Sequence, residues 1–155
     1  MEQPAPTPEN PEGIRILDQW VTENIRSFDI PELRYVLGAN GGHVPFHRLV
    51  GARVQALFAS FTAAGLADRV LAFGGSFAPR FIRGSRTVLS AHAHGSAFDI
   101  NVPWNPLGAV PALRGTKGSV RELVPLANQA GFYWGGHFTT RRDGMHFEIA
   151  TPKGA

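Results

Sequence analysis

Two short segments concentrate residue types that can hold a divalent metal ion. The first, Ser90-Ala91-His92-Ala93-His94-Gly95-Ser96-Ala97-Phe98-Asp99, carries the pattern S-x-H-x-x-G-x-A-x-D. The second, Asp143-Gly144-Met145-His146-Phe147-Glu148, sets a histidine between two acids. Two histidines and one carboxylate make a catalytic zinc set whose fourth position stays open for water. Zinc lowers the pKa of such a water to about 7 and polarises the carbonyl under attack, and a carboxylate beside the water must then take its proton. The chain has no cysteine, so disulfides and thiolate sites are excluded and any zinc must be held by His, Asp or Glu. That confines the histidine ligands to six residues. Taken singly, each histidine is more readily explained as structural or exposed; only the joint pattern reverses that.

Positioning such a set falls to strands. Over Ala97 to Val102, Phe98, Ile100 and Val102 alternate with Ala97, Asp99 and Asn101, so Asp99 faces away from the core side. From Met145 to Ala150, Met145, Phe147 and Ile149 take one face and His146 and Glu148 the other. Asp99 and His146 can therefore project from the polar face of one sheet. A further buried strand is predicted over Val70 to Phe73, before Gly74-Gly75. Helical spacing predicts helices over Ile14 to about Arg26 and about Phe46 to Ala64, the second with a stripe of Val50, Val54, Leu57, Phe58 and Phe61 ended by Gly65. A capping-box pattern, Ser119 to Glu122, opens another helix whose stripe of Val120, Leu123, Val124 and Ala127 is ended by Gly131. The Gly- and Pro-rich stretch from Trp104 to Lys117 predicts a long surface excursion. The order of elements implies an α+β fold with a small antiparallel sheet, helices on one face and a zinc groove on the other.

With 155 residues, 43% of them apolar, the chain is expected to form a single domain over 14–155, preceded by a disordered, Pro-rich leader or linker at 1–13. A net charge of +3 and a pI near 10.0 favour anionic partners, for which cell-wall polymers serve as well as nucleic acid. No apolar run approaches the roughly 20 residues of a membrane span, and no signal-peptide pattern is visible. Gly74-Gly75 and Gly135-Gly136 lack the lysine and serine of a phosphate loop, and no nucleic-acid motif is present, so neither a nucleotide cofactor nor a nucleic-acid partner is expected.

The two metal-binding segments resemble the zinc D-alanyl-D-alanine carboxypeptidases and D,D-dipeptidases, a metallopeptidase group related in fold to lysostaphin-type peptidases and the Hedgehog amino-terminal domain. Every fixed position of the first motif is matched, and Gly131-Phe132-Tyr133-Trp134-Gly135-Gly136 is similar to the Trp-Gly-Gly segment ahead of the family's last ligand. The resemblance runs from about Phe46 to Ala150. It implies one zinc ion on His92, Asp99 and His146, and a general base at the residue three before the last histidine, here Asp143. Glu148 is the rival base, but alternation places it about 7 Å along the strand from His146, beside the ligand rather than at the water. The resemblance also implies a substrate-holding arginine in a loop ahead of the first motif: Arg80 first, Arg83 second, with Ser90 as an accompanying hydroxyl contact. His94 and His137 are expected behind the ligands or facing substrate. His43 and His47 match no part of the motif and are expected at the surface or capping the long helix. The implied activity is hydrolysis of peptidoglycan stem peptides outside the cytoplasm, in the periplasm or beyond, by a D-Ala-D-Ala carboxypeptidase. An L-Ala-D-Glu endopeptidase is the near alternative and a non-catalytic binding module the distant one. A monomer is favoured.

Overall fold

A computed structural model of the chain describes residues 18–79 and 90–149. Its elements, in chain order, are α1 (Asp18–Asn24), β1 (Ile25–Asp29), β2 (His43–His47), α2 (Gly51–Ala63), β3 (Phe73–Gly75), β4 (Ala97–Ile100), α3 (Val124–Gln129), β5 (Phe132–Trp134) and β6 (His146–Ile149), with short 3-10 turns between them. The fold is α+β. Two antiparallel sheets form, β1 with β2 and a four-stranded sheet in the order β3-β4-β6-β5.

The core lies on the Phe98 side of the larger sheet. Phe98 of β4 stacks on Phe147 of β6 at 5.3 Å between ring centroids and meets Phe132 of β5 at 5.6 Å and Phe58 of α2 at 5.5 Å. All four rings are buried, so the apolar stripe of α2 covers the face that the alternation assigned to core. Asp99 and His146 are left on the opposite face, directly across from each other in the β4–β6 register.

Three expected boundaries move. The first helix stops at Asn24 because its side-chain amide donates to Trp20 O (2.9 Å), after which Ile25 and Arg26 enter β1. The long helix starts at Gly51, since Phe46 and His47 pair with β1 as part of β2. Gly51 has no Cβ, and one added there would meet the Phe28 ring at 2.2 Å, so the first turn of α2 sits hard against β1. The predicted strand over Val70 to Phe73 begins only at Phe73, preceded by an isolated bridge between Leu37 and Ala72.

The Trp104–Lys117 excursion is tied down. It opens as a 3-10 turn over Val102–Trp104, and the fully buried Asn105 donates to Asn101 O and Gly118 O (both 2.9 Å) while accepting from Ala112 N (3.0 Å). Arg121 grips it from outside through Pro111 O and Ala112 O, each at 2.9 Å. The Ser119–Glu122 pair also serves this loop: the Ser119 hydroxyl donates to Glu122 (2.9 Å), whose carboxylate takes Gly115 N at 2.7 Å. A 3-10 turn, Arg121–Leu123, therefore precedes α3.

Asn101 ends β4 in the left-handed region (φ 54) and is fully buried. Its amide oxygen accepts from Leu71 N (2.8 Å) and Ala72 N (3.2 Å), and its amide nitrogen donates to Arg69 O (2.7 Å) and Gly118 O (3.2 Å). Four backbone groups of two other segments lose their partner if it is truncated. Asn101→Ala is expected to cost about 3–5 kcal/mol, because buried polar groups are orphaned and alanine is strained at positive φ. Denaturant unfolding checks this. Asn101→Gly should remove only the strain component of the loss.

Candidate metal centre

The 3-10 turn Ala91–His94 presents His92, and the fixed residues of the first motif explain how. Ser90 caps the turn, its hydroxyl accepting from His92 N (3.2 Å). Gly95 closes it at φ +67, and a Cβ there would meet His47 N at 2.6 Å. Glycine is thus required both by the backbone angle and by the approach of β2. Ala97 is fully buried at the start of β4, opposite Glu148. Asp99 and His146 come from adjacent strands in register.

The result is a compact cradle. Asp99 Oδ1 lies 3.2 Å from His92 Nε2 and 3.1 Å from His146 Nδ1, and the two imidazole nitrogens are 3.2 Å apart. The three residues are 2%, 8% and 6% exposed for His92, Asp99 and His146, so their polar atoms face one another rather than bulk water. They form the only such group of metal-ligating side chains among the described residues.

The outer hydrogen bonds decide which nitrogens point inward. Ser76 O is an acceptor alone and sits 2.6 Å from His92 Nδ1, so Nδ1 carries the hydrogen and Nε2 presents a lone pair. Glu148 Oε1, 2.9 Å from His146 Nε2, does the same for that ring and turns Nδ1 inward. With both imidazoles neutral, three lone pairs converge with no hydrogen between them. Such an arrangement calls for a cation. Ligand bonds of 2.0–2.2 Å in a tetrahedron put ligand atoms about 3.3–3.5 Å apart, close to the spacing here, so His92, Asp99 and His146 are placed to hold one metal ion.

Without metal, a proton takes the cation's part. Burial works against charge on His146, but hydrogen bonds to Asp99 and Glu148 outweigh it and push its pKa up to about 9. Burial likewise opposes the Asp99 carboxylate, yet hydrogen bonds from His146 and His92 hold it well below the usual range. A group raised to about 9 is protonated below that pH in the metal-free protein and must release its proton to coordinate. Metal affinity is therefore expected to rise about tenfold per pH unit up to roughly 9 and then level off, as chelator competition at several pH values would record.

The remaining candidates separate. Glu148 is half-buried, with its carboxylate on the far nitrogen of His146. Replacing it by alanine is expected to weaken metal binding about 10–100-fold, and by glutamine less, because the amide oxygen can still accept from the ring. Competition against a chromophoric chelator measures both. Asp143 lies in the turn entering β6, half-buried, with its N–H on Gly135 O (2.9 Å) and its carbonyl accepting from His146 N (3.1 Å). A Cβ on Gly135 would meet Asp143 O at 2.4 Å, so the Trp-Gly-Gly segment supplies the clearance that lets this turn close. Ser90 is buried and committed to the turn of His92. His94 is half-buried, and burial lowers its pKa. His137 is exposed, its ring edge-on to Trp134 at 5.0 Å. His47, expected at the surface or capping the long helix, is buried in β2 and accepts from Leu49 N at Nδ1 (3.1 Å), just ahead of α2; His43 is exposed. Arg80 and Arg83 lie outside the described residues. Ser76 escaped sequence reasoning because it acts through its carbonyl, which any residue type possesses.

Residues 83–149 match the family model described as D-alanyl-D-alanine carboxypeptidase. The match includes all three cradle residues and begins well after Phe46, where the sequence resemblance begins. No curated protein matches the chain.

Proposed function

From the family relationship of residues 83–149 and the His-Asp-His cradle they contain, we propose that this protein is a zinc peptidase that hydrolyses peptidoglycan stem peptides, removing the terminal D-alanine from D-Ala-D-Ala. The observation that carries the reading is the convergence of three lone pairs on one point, with both imidazoles locked into the required tautomer by Ser76 O and Glu148. A bound zinc supplies Lewis acidity there, acidifying water and polarising a peptide carbonyl.

The chain's own residues do the rest. Asp143 takes the proton of the attacking water and passes it to the leaving amine. Its backbone is held by Gly135 and leads within three residues to His146, so base and ligand are positioned by one turn. Arg80, with Arg83 as a lesser contact, holds the substrate carboxylate or carbonyl, while Ser90 stays with the turn that presents His92. Glu148 keeps His146 oriented and takes no proton from substrate. His94 and His137 lie outside this proton path. The +3 charge suits an anionic wall. Among the described residues no helix is long and apolar enough to cross a membrane. The proposed place of action is the cell wall.

Digestion of purified muropeptides by zinc-loaded protein, with products weighed by mass spectrometry, tests the bond. Loss of one D-alanine supports the carboxypeptidase. Cleavage between L-Ala and D-Glu replaces it with the endopeptidase, and binding without any zinc-dependent product replaces both with a non-catalytic module.

A further inference from the structure

Between β5 and β6 the chain makes an excursion that stays at the rim of the metal centre. Its ends are pinned, because Gly135 O accepts from both Phe138 N (3.1 Å) and Asp143 N (2.9 Å). Together with Gly108 it encloses an open depression of about 540 Å³ lined by Gly136 and residues 137–142. That volume suits a fragment of a few amino-acid residues. The depression adjoins the cradle, since the Phe138 ring, one of its walls, lies 6.0 Å from the His146 ring.

The chemistry of its lining is one-sided. Among the lining residues Thr139 and Thr140 carry hydroxyls, Arg141 and Arg142 guanidiniums and His137 an imidazole, and none is an acid. Arg142 is exposed and makes no ion pair with a described carboxylate, while its own carbonyl is fixed by Gly108 N at 2.7 Å. A planar fork beside two hydroxyls, in a basin without negative charge, matches a carboxylate.

Resting on the peptidase reading, we propose that this depression is a specificity subsite for a free carboxylate carried by the stem peptide a few residues from the scissile bond, with Arg142 as the residue that selects it. Stem peptides offer such a carboxylate where D-glutamate is linked through its side chain, and amidation removes it. The subsite therefore distinguishes free-acid from amidated wall.

The test compares wild type, Arg142→Gln and Arg142→Lys in the full zinc-loaded chain, on a stem peptide with free D-glutamate and on its amidated counterpart. Wild type should favour the free acid about tenfold or more in KM with similar kcat, since a contact made equally before and during reaction moves KM alone. Arg142→Gln should lose that preference, and Arg142→Lys should keep part of it. Calorimetric binding of the same two peptides to metal-free protein gives the preference without turnover, and inorganic phosphate should compete only weakly. Cleavage of both peptides with preference unchanged in Arg142→Gln overturns the subsite and leaves the peptidase reading intact. Free-acid preference in binding, lost in Arg142→Gln and unaccompanied by any cleavage, keeps the subsite and removes the peptidase. Displacement by phosphate as effective as by peptide also overturns the subsite, reducing it to a general anion site.

Discussion

Asp143→Asn is expected to lower turnover of a D-Ala-D-Ala stem peptide by about 10³-fold while one zinc ion stays bound. The amide keeps the size of the side chain and cannot accept a proton, and general-base contributions run from about 10² to 10⁴. Because Asp143 meets Gly135 and His146 through backbone groups, the substitution should leave the turn entering β6 in place. Asp143→Glu keeps a carboxylate and should recover most of the rate. Zinc content by atomic emission and kcat at saturating substrate, measured on the same preparations, check this. Parallel loss of zinc and rate would assign Asp143 to holding the cradle. A full rate in Asp143→Asn, with Glu148→Gln inactive at saturating zinc, would move the base to Glu148.

Asp99→Asn attacks the same reaction from the metal side. Asp99 Oδ1 lies 3.1–3.2 Å from both imidazole nitrogens, and its charge is the only negative one among the three cradle residues. Replacing it by a neutral, nearly isosteric amide should cost more than about 10³-fold in zinc affinity, beyond the 10–100-fold expected of an outer partner such as Glu148. The metal-free variant carries a second signature. Hydrogen bonding to Asp99 is a main support of the raised His146 pKa, so that pKa should fall from about 9 towards an ordinary imidazole value, visible by NMR titration. A fall in zinc affinity without movement of His146 would mean that the two residues do not share a proton.

Strand periodicity made the central part of this site legible. Alternation over residues 97–102 and 145–150 put Asp99 and His146 on the polar side of their strands, and the register places them face to face. The aromatic residues of the opposite faces supplied the core that Phe58 of α2 covers. Elements held by long-range pairing were harder to read. Phe46 and His47 looked like the start of a helix because Phe46 and Val50 extend its stripe, yet they pair with Arg26 and Ile25, a partner about twenty residues away. Asn101 read as a strand residue, whereas its side chain ends the strand by serving four backbone groups. The Trp104–Lys117 stretch read as a loose excursion because Gly and Pro mark turns without showing what holds them; Asn105 and Arg121 do the holding. Glu148 beside His146 was readable from spacing, while the backbone carbonyl of Ser76 that orients His92 has no signature in residue type.

The most direct test of the central claim is a zinc titration of metal-free protein, with hydrolysis of a purified stem peptide followed at each addition. Activity should rise in proportion to zinc, stop at one ion per chain, and vanish on chelation. Rates that ignore zinc, or one tightly bound zinc per chain with no hydrolysis of any stem-peptide bond, would contradict it.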